Sequence, residues 1–259
     1  RLRDSRPIAF DVLIVAPGSR HSYFGHDGWE ESAPGLKTLA DAVYLREKML
    51  LAFEEAERRR MAIGTGERLT FVIVGGGPTG VELAGSLAEI GRKAMGPDFP
   101  NLRLNDLAIL LVEGGSRVLP GFSPDLSAKA AAALEHKGVT IKLNSRVSEI
   151  RAYGLMIGSE FVRSTHIIWA AGNRASPLLT SLGLPQDGSG RIKVQRDLTI
   201  PEDPWIFVIG DAAHCADPDG NPLPGIAPVA VQQGRYVARL IREETAPDRH
   251  AGCPSRRAQ

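Results

Sequence analysis

Six consecutive residues carry the clearest chemistry in this chain: Gly75, Gly76, Gly77, Pro78, Thr79 and Gly80. Their Gly-x-Gly-x-x-Gly spacing suits a turn that cradles the pyrophosphate of a dinucleotide. Gly75 would allow the tight turn, Gly77 the close approach of a phosphate, and Gly80 the packing of helix against strand. The free N–H groups and positive dipole end of a following helix would then face the phosphates. Such a motif alone is equally a glycine-rich turn, so its context decides. Here Thr70–Val74 reads as a buried parallel strand, and Val81, Ala84, Leu87 and Ala88 follow at helical spacing.

A second residue type at the right place sharpens the reading. The apolar run from Ala108 ends in Glu113. A carboxylate at that strand end can accept hydrogen bonds from a ribose 2′-OH and would repel a 2′-phosphate, which favours NAD over NADP. Arg117 is the nearby charge that could offset a phosphate. The gap from Gly80 to Glu113 exceeds the usual spacing of about 20 residues. The run Gly96-Pro-Asp-Phe-Pro100 explains it, breaking the helix and inserting a loop.

Composition excludes several classes. The 259 residues suffice for one large or two modest domains. A net charge of +1 gives no reason to expect a nucleic-acid partner. No apolar run approaches a bilayer span, and no secretory leader is visible at the start. Cys215 and Cys253 form neither a redox CxxC nor a disulfide framework, so a reducing, intracellular setting is expected. No metal site is expected: His214 and Cys215 are too few ligands and read as structural.

The elements that must position these residues follow from periodicity. Ile8 to Ser19 reads as a strand that runs into a turn, and residues 17 to 35 as loop-like. Thr38-x-x-Asp41 resembles a capping box, followed by Ala42, Leu45, Met49, Ala52, Phe53 and Ala56 on one helical face. This helix reads as a connector. Ser123-Pro124 starts a further helix that stops before Gly138, and Val139–Leu143 is a strand. Residues 146 to 164 read as short antiparallel strands turning at Gly154 and Gly158. His166 to Gly172 closes the unit as a buried strand. Later, Trp205 to Ile209 is a strand ending in Gly210-Asp211, and Val229 to Ile241 is a helix with Val229, Gln232, Gln233, Tyr236 and Leu240 at helical spacing.

Taken together, Val12–Ser19, Gly75–Gly80, Ala170-Ala-Gly172 and Ile209-Gly-Asp211 resemble the FAD/NAD pyridine nucleotide-disulfide oxidoreductases. Leu36–Ala42, Pro78–Ala84, Arg117-Val-Leu-Pro120, Ile168–Gly172 and Gln232–Val237 resemble type II NADH dehydrogenases, NADH:quinone oxidoreductases, more closely. The resemblance covers roughly residues 8 to 243. It implies an α/β fold: a Rossmann-type NAD-binding domain with an inserted antiparallel meander, plus a partial FAD-binding domain. The expected division is 1–35 partial FAD domain, 36–67 connecting helix, 68–172 NAD domain, 173–245 partial FAD domain and 246–259 tail. The chain reads as a central fragment of such an enzyme.

The resemblance also implies roles and partners. NADH would pass a hydride to FAD, and electrons would go on to a quinone. The alternatives are a related ferredoxin or disulfide reductase, or a fragment that only binds NAD(H). Asp211, beside Gly210, matches the aspartate that bonds the flavin ribityl chain; a turn cap is the plain reading. Gly18 and Gly172 match cofactor-proximal glycines. Glu82 matches a glutamate near the nicotinamide, although a first-turn acid favoured by the dipole is its ordinary explanation. The helix starting around Ala227 and Val229 would aim free N–H groups at the flavin. Of two family glutamines here the first lies near the quinone, and Pro228 stands in its place; Gln232 matches the second and is the weaker quinone candidate, with a plain helix surface residue as its ordinary explanation. The whole protein would be cytoplasmic, peripheral on the inner face of the cell membrane, with a homodimer as the possible assembly. Without a first glycine motif the chain should bind NADH yet purify nearly colourless, its strand Phe10–Val15 pairing with Ile206–Ile209 or with a neighbouring chain.

Overall fold

The computed structural model describes residues 8–64, 68–94 and 97–244. The elements in chain order begin with β1 (Leu13–Val15), β2 (Ser19–His21), α1 (Leu39–Ile63), β3 (Leu69–Val74) and α2 (Pro78–Ala94). Next come β4 (Leu107–Val112), α3 (Pro124–His136), β5 (Val139–Lys142), β6 (Val147–Arg151), β7 (Gly154–Ile157), β8 (Glu160–Arg163) and β9 (His166–Trp169). The chain finishes with β10 (Asn173–Ala175), β11 (Ile192–Lys193), β12 (Thr199–Ile200), β13 (Asp203–Val208), β14 (Ala213–His214) and α4 (Ala227–Glu244). Two compact units result, His21–Gly172 and Arg1–Arg20 with Asn173–Gln259.

The unit His21–Gly172 is built on a four-stranded parallel sheet in the order β5-β4-β3-β9. Both faces are covered, which is why β3 and β4 read as continuous apolar runs. Alternate residues serve different cores. Phe71, Ile73, Ile109 and Leu111 meet α1, α2 and α3 through Phe53, Leu87 and Leu134. Val72, Val74, Leu110 and Val112 face the antiparallel meander β6-β7-β8 through Ile150, Leu155 and Ile157. Each such side chain contributes about 1.5–3 kcal/mol by leaving water.

Two expectations about this unit need correction. Its boundary falls after Arg20, not residue 35, because residues 21–35 are a packed segment. Tyr23 stacks on Trp169 at 5.1 Å, Trp29 meets it edge-on at 5.6 Å, and Ala33 is fully buried. Trp169 N–H also donates to Pro34 O, and Gly35 bridges to Trp169. Glycine and proline made this stretch look like loop, while its aromatic residues carry the packing. Likewise α1 belongs to the layer over the sheet. Its capping box forms as read, with Asp41 N–H donating to Thr38 Oγ1 at 3.1 Å and Thr38 N–H to Asp41 Oδ2 at 2.8 Å. Leu45, Ala52 and Phe53 are its buried face; Ala42, in the first turn, is exposed.

In the other unit, β1 pairs in parallel with β13, Leu13 opposite Ile206 and Val15 opposite Val208. The expected partnership of these strands is therefore met within the chain. On the other side of β13, β12 pairs antiparallel. Val237 of α4 is fully buried beside Leu198 and Phe207. The expected tail, residues 246–259 with Cys253, lies outside the described residues, as does Gly96. Among the described residues no helix is long and apolar enough to cross a membrane, and no group of side chains could hold a metal ion.

Candidate functional site

The end of β3 runs into α2 through Gly75, Gly76 and Gly77, and each glycine is explained differently. Gly75 has φ +113°, and a Cβ there would stand 2.7 Å from the backbone of Ala170 and Ala171. A Cβ on Gly80 would stand 1.8 Å from Gly75 O, so helix and turn touch through bare backbone. Gly77 meets nothing within 4 Å, leaving open space in front of the α2 N-terminus. Pro78 is the first residue of α2, where a missing N–H costs nothing. Thr79 occupies the first turn beside it. A turn that leaves Gly77 open at a helix N-terminus fits a pyrophosphate.

Glu113 stands directly after β4 and touches this turn. Its Oε2 accepts the Gly76 N–H at 2.6 Å, and its Oε1 accepts the Gly115 N–H at 2.7 Å. The carboxylate is thereby fixed in orientation, and each oxygen keeps a further lone pair for a ligand hydroxyl. Arg117 is directed elsewhere: its Nη2 donates to Pro120 O at 2.9 Å and Phe122 O at 3.4 Å. Arg146 is the cation whose side chain covers the loop after Glu113, with its Cγ 3.4 Å from where a Gly114 Cβ would stand. Nothing in the local sequence marks it, because it lies on the far side of β5.

Glu82 is exposed on α2 and lies beyond the first turn, which holds no acid. The plain explanation as a first-turn dipole partner therefore fails. Gly172 has φ +70°, and its missing Cβ makes room for Ser22 O and the Phe24 ring.

In the other unit, β13 ends at Val208, and two residues on the φ of +68° at Gly210 turns the chain into Asp211. Ser19 Oγ donates to Asp211 Oδ2 at 2.6 Å. The Gly210 N–H donates to Gln233 Oε1 at 2.7 Å, and Gln233 is 7% exposed. Gly18, φ +69°, lies next to Ser19 with open space around it. A carboxylate at a left-handed turn, with a serine hydroxyl beside it, suits the hydroxyls of a polyol chain such as the flavin's ribityl group. Sequence reading passed over both Ser19 and Gln233. Ser19 has no local signal; Gln233 was visible only as one of a pair.

That pair separates cleanly. Gln232 is exposed, whereas Gln233 is buried and ties α4 to the Gly210 turn. At the start of α4, Ala227 opens the helix and the Val229 N–H donates to Ile226 O at 3.1 Å. The expected free donor at Val229 is thus already engaged, because the chain enters α4 through a tight turn.

Asp187 organises the remaining loops. It accepts from Ser189 N–H at 2.8 Å, Arg191 N–H at 2.9 Å and Arg191 Nε at 2.7 Å, and His214 Nδ1 lies 2.9 Å away. Burial pushes its pKa up, but these hydrogen bonds outweigh burial and bring it down to about 2. His214 is therefore part of a structural network. Burial raises the Cys215 thiol above its usual range, away from thiolate chemistry.

Comparison with known proteins agrees with this geometry. Residues 2–234 match the pyridine nucleotide-disulphide oxidoreductase family. Two relatives from Mycobacterium tuberculosis, named type II NADH:quinone oxidoreductases Ndh and NdhA, are each 37% identical. Those matches cover 92% and 90% of this chain, and 52% and 51% of the relatives. The structure of NDH2 from Plasmodium falciparum in complex with NADH superposes with a TM-score of 0.69 at 25% identity, covering 79% of this chain and 44% of that one. A FAD-dependent pyridine nucleotide-disulphide oxidoreductase from Desulfovibrio vulgaris gives 0.66 at 26% identity, over 95% of this chain and 57% of that one. The chain spans about half the length of the curated relatives it matches. With a glycine turn opening onto a helix N-terminus and a clamped carboxylate at the neighbouring strand end, the chain belongs to the pyridine nucleotide-disulphide oxidoreductase family.

Proposed function

We propose that the protein is a FAD-dependent NADH dehydrogenase of the NADH:quinone oxidoreductase kind. The observation that carries this reading is the Gly75–Gly80 turn with its bonded Glu113, supported by the names of the relatives. The Gly77 opening and the first turn of α2 bind the pyrophosphate of NADH. Glu113 accepts a ribose hydroxyl and turns away a 2′-phosphate. Asp211 and Ser19, beside Gly210, hold the ribityl hydroxyls of FAD, and Gly18 leaves room beside them. When bound, FAD supplies the two-electron acceptor, and the protein supplies binding and orientation. Glu82 acts at the nicotinamide end by positioning or proton relay, and Gln232 is the remaining candidate for a quinone contact. The electron acceptor is a quinone, and the whole protein works at the inner membrane surface as a peripheral protein or homodimer.

Calorimetric titration with NADH and NADPH tests the carrying observation. Binding of NADH well ahead of NADPH is expected, and equal affinity for the two removes the role given to Glu113. Bound-flavin absorbance, followed by turnover with a soluble quinone, ferredoxin or disulfide, tests the rest. Activity confined to ferredoxin or disulfide would move the protein to another branch of the family.

A further inference from the structure

The run Arg117-Val-Leu-Pro120 binds nothing in the scheme above, yet it touches the glycine turn. Leu119 N–H donates to Gly76 O at 2.7 Å, while the Gly76 N–H is taken by Glu113. Both polar groups of Gly76 are therefore held. The Gly76–Gly77 peptide is trans, as are the others among the described residues. In a planar trans peptide the N–H points opposite to the C=O. Pulling Gly76 O towards Leu119 thus aims the Gly77 N–H the other way. There it donates to no described residue, and the space around Gly77 is open.

Leu119 makes this bond in a strained state. Its φ of +50° lies in the left-handed region, which a leucine adopts only where its surroundings enforce it. Four residues around it do so. Val118 is 1% exposed in the core between sheet and helices. Ser127 of α3, 2% exposed, donates its hydroxyl to Val118 O at 2.7 Å, with Leu119 O at 3.2 Å. Arg117 Nη2 holds Pro120 O, and the Phe122 N–H donates to Leu119 O at 2.9 Å.

We propose that the Arg117–Pro120 run, pinned by Ser127, is a positioning device that fixes the Gly77 N–H for the pyrophosphate of the dinucleotide. It rests on the reading of the turn as an NAD(H) site. Ser127 acts through Leu119 and Gly76 and touches no ligand itself. Its effect should therefore appear only with ligands that carry a pyrophosphate.

The test uses the 259-residue chain and its Ser127→Ala variant, with folding checked by circular dichroism. The Kd for NADH and for ADP-ribose should each rise about tenfold, the factor that one lost hydrogen bond commands. Adenosine, which reaches Glu113 but lacks phosphates, should bind both proteins equally in NMR titrations. Ser127→Thr, which keeps the hydroxyl, should restore the affinity. Unchanged NADH and ADP-ribose binding in a folded Ser127→Ala chain overturns the proposal, as does equal weakening of adenosine. Should that variant not fold, amide exchange in the unchanged chain decides. The Leu119 N–H must exchange slowly, and the Gly77 N–H must exchange fast until ADP-ribose protects it; a fast Leu119 or an unprotected Gly77 overturns the proposal. An unchanged chain that binds no NADH removes the dinucleotide reading itself and this proposal with it.

Discussion

Two of the left-handed glycine turns, the one after β3 and the one after β13, are held in different ways. After β3, Gly75 is fixed by backbone: its N–H donates to Val112 O, and its carbonyl lies against Gly80. The chain enters α2 at once. After β13, Gly210 is fixed by side chains: Gln233 takes its N–H, and Ser19 holds the adjoining Asp211. There the chain passes a long loop before α4. The backbone contact at Gly80 leaves no room for a Cβ, whereas the Gly210 turn depends on the side chains that hold its N–H and its neighbour Asp211.

Substitutions can break that comparison at its sharpest point. Gly80→Ala should cost the most, because its Cβ would overlap Gly75 O and neither backbone segment can yield. A loss of about 3 kcal/mol or more in urea unfolding is expected, whereas Gly77→Ala, which points into open space, should leave stability unchanged and weaken NADH. Equal stability of the two variants would show that the close packing at Gly80 is not a constraint. Next, Glu113→Gln should narrow the preference for NADH over NADPH by about 1.5–3 kcal/mol, the worth of a hydrogen bond to a charged group. Competition titrations read this directly, and an unaltered ratio would assign selectivity elsewhere, Arg146 being a cation that lies over that loop.

Gln233→Leu keeps volume but strands the Gly210 N–H, at about 1–3 kcal/mol in chemical denaturation. The exposed neighbour Gln232→Leu should cost almost nothing, and the reverse order would mean that the buried glutamine is not what holds the second turn. The effect of Asp187 is read from acid pH. Its folded pKa, about 2, lies below the ordinary value of 3.8. It therefore stabilises fully above that ordinary value, and the contribution fades as pH falls from there through about 2. The denaturation midpoint should drop over that window, and Asp187→Asn should flatten the drop.

The parallel sheet, the glycine turn and the place of Glu113 were legible in the amino-acid sequence. Those features are written in neighbouring residues: β3 and β4 show unbroken apolar runs because both faces are covered, and the turn needs glycine at fixed offsets. The capping box of α1 was legible for the same reason. The packing of residues 21–35 under Trp169, the inward turn of Gln233 rather than Gln232 and the meeting of Ser19 with Asp211 came from the folded chain. So did the bond from Leu119, forty-two residues past Gly77, to the carbonyl of Gly76. Each of these depends on side chains or backbone groups far apart in the chain meeting at hydrogen-bond distance, and no local pattern of hydrophobicity or turn chemistry encodes such a meeting.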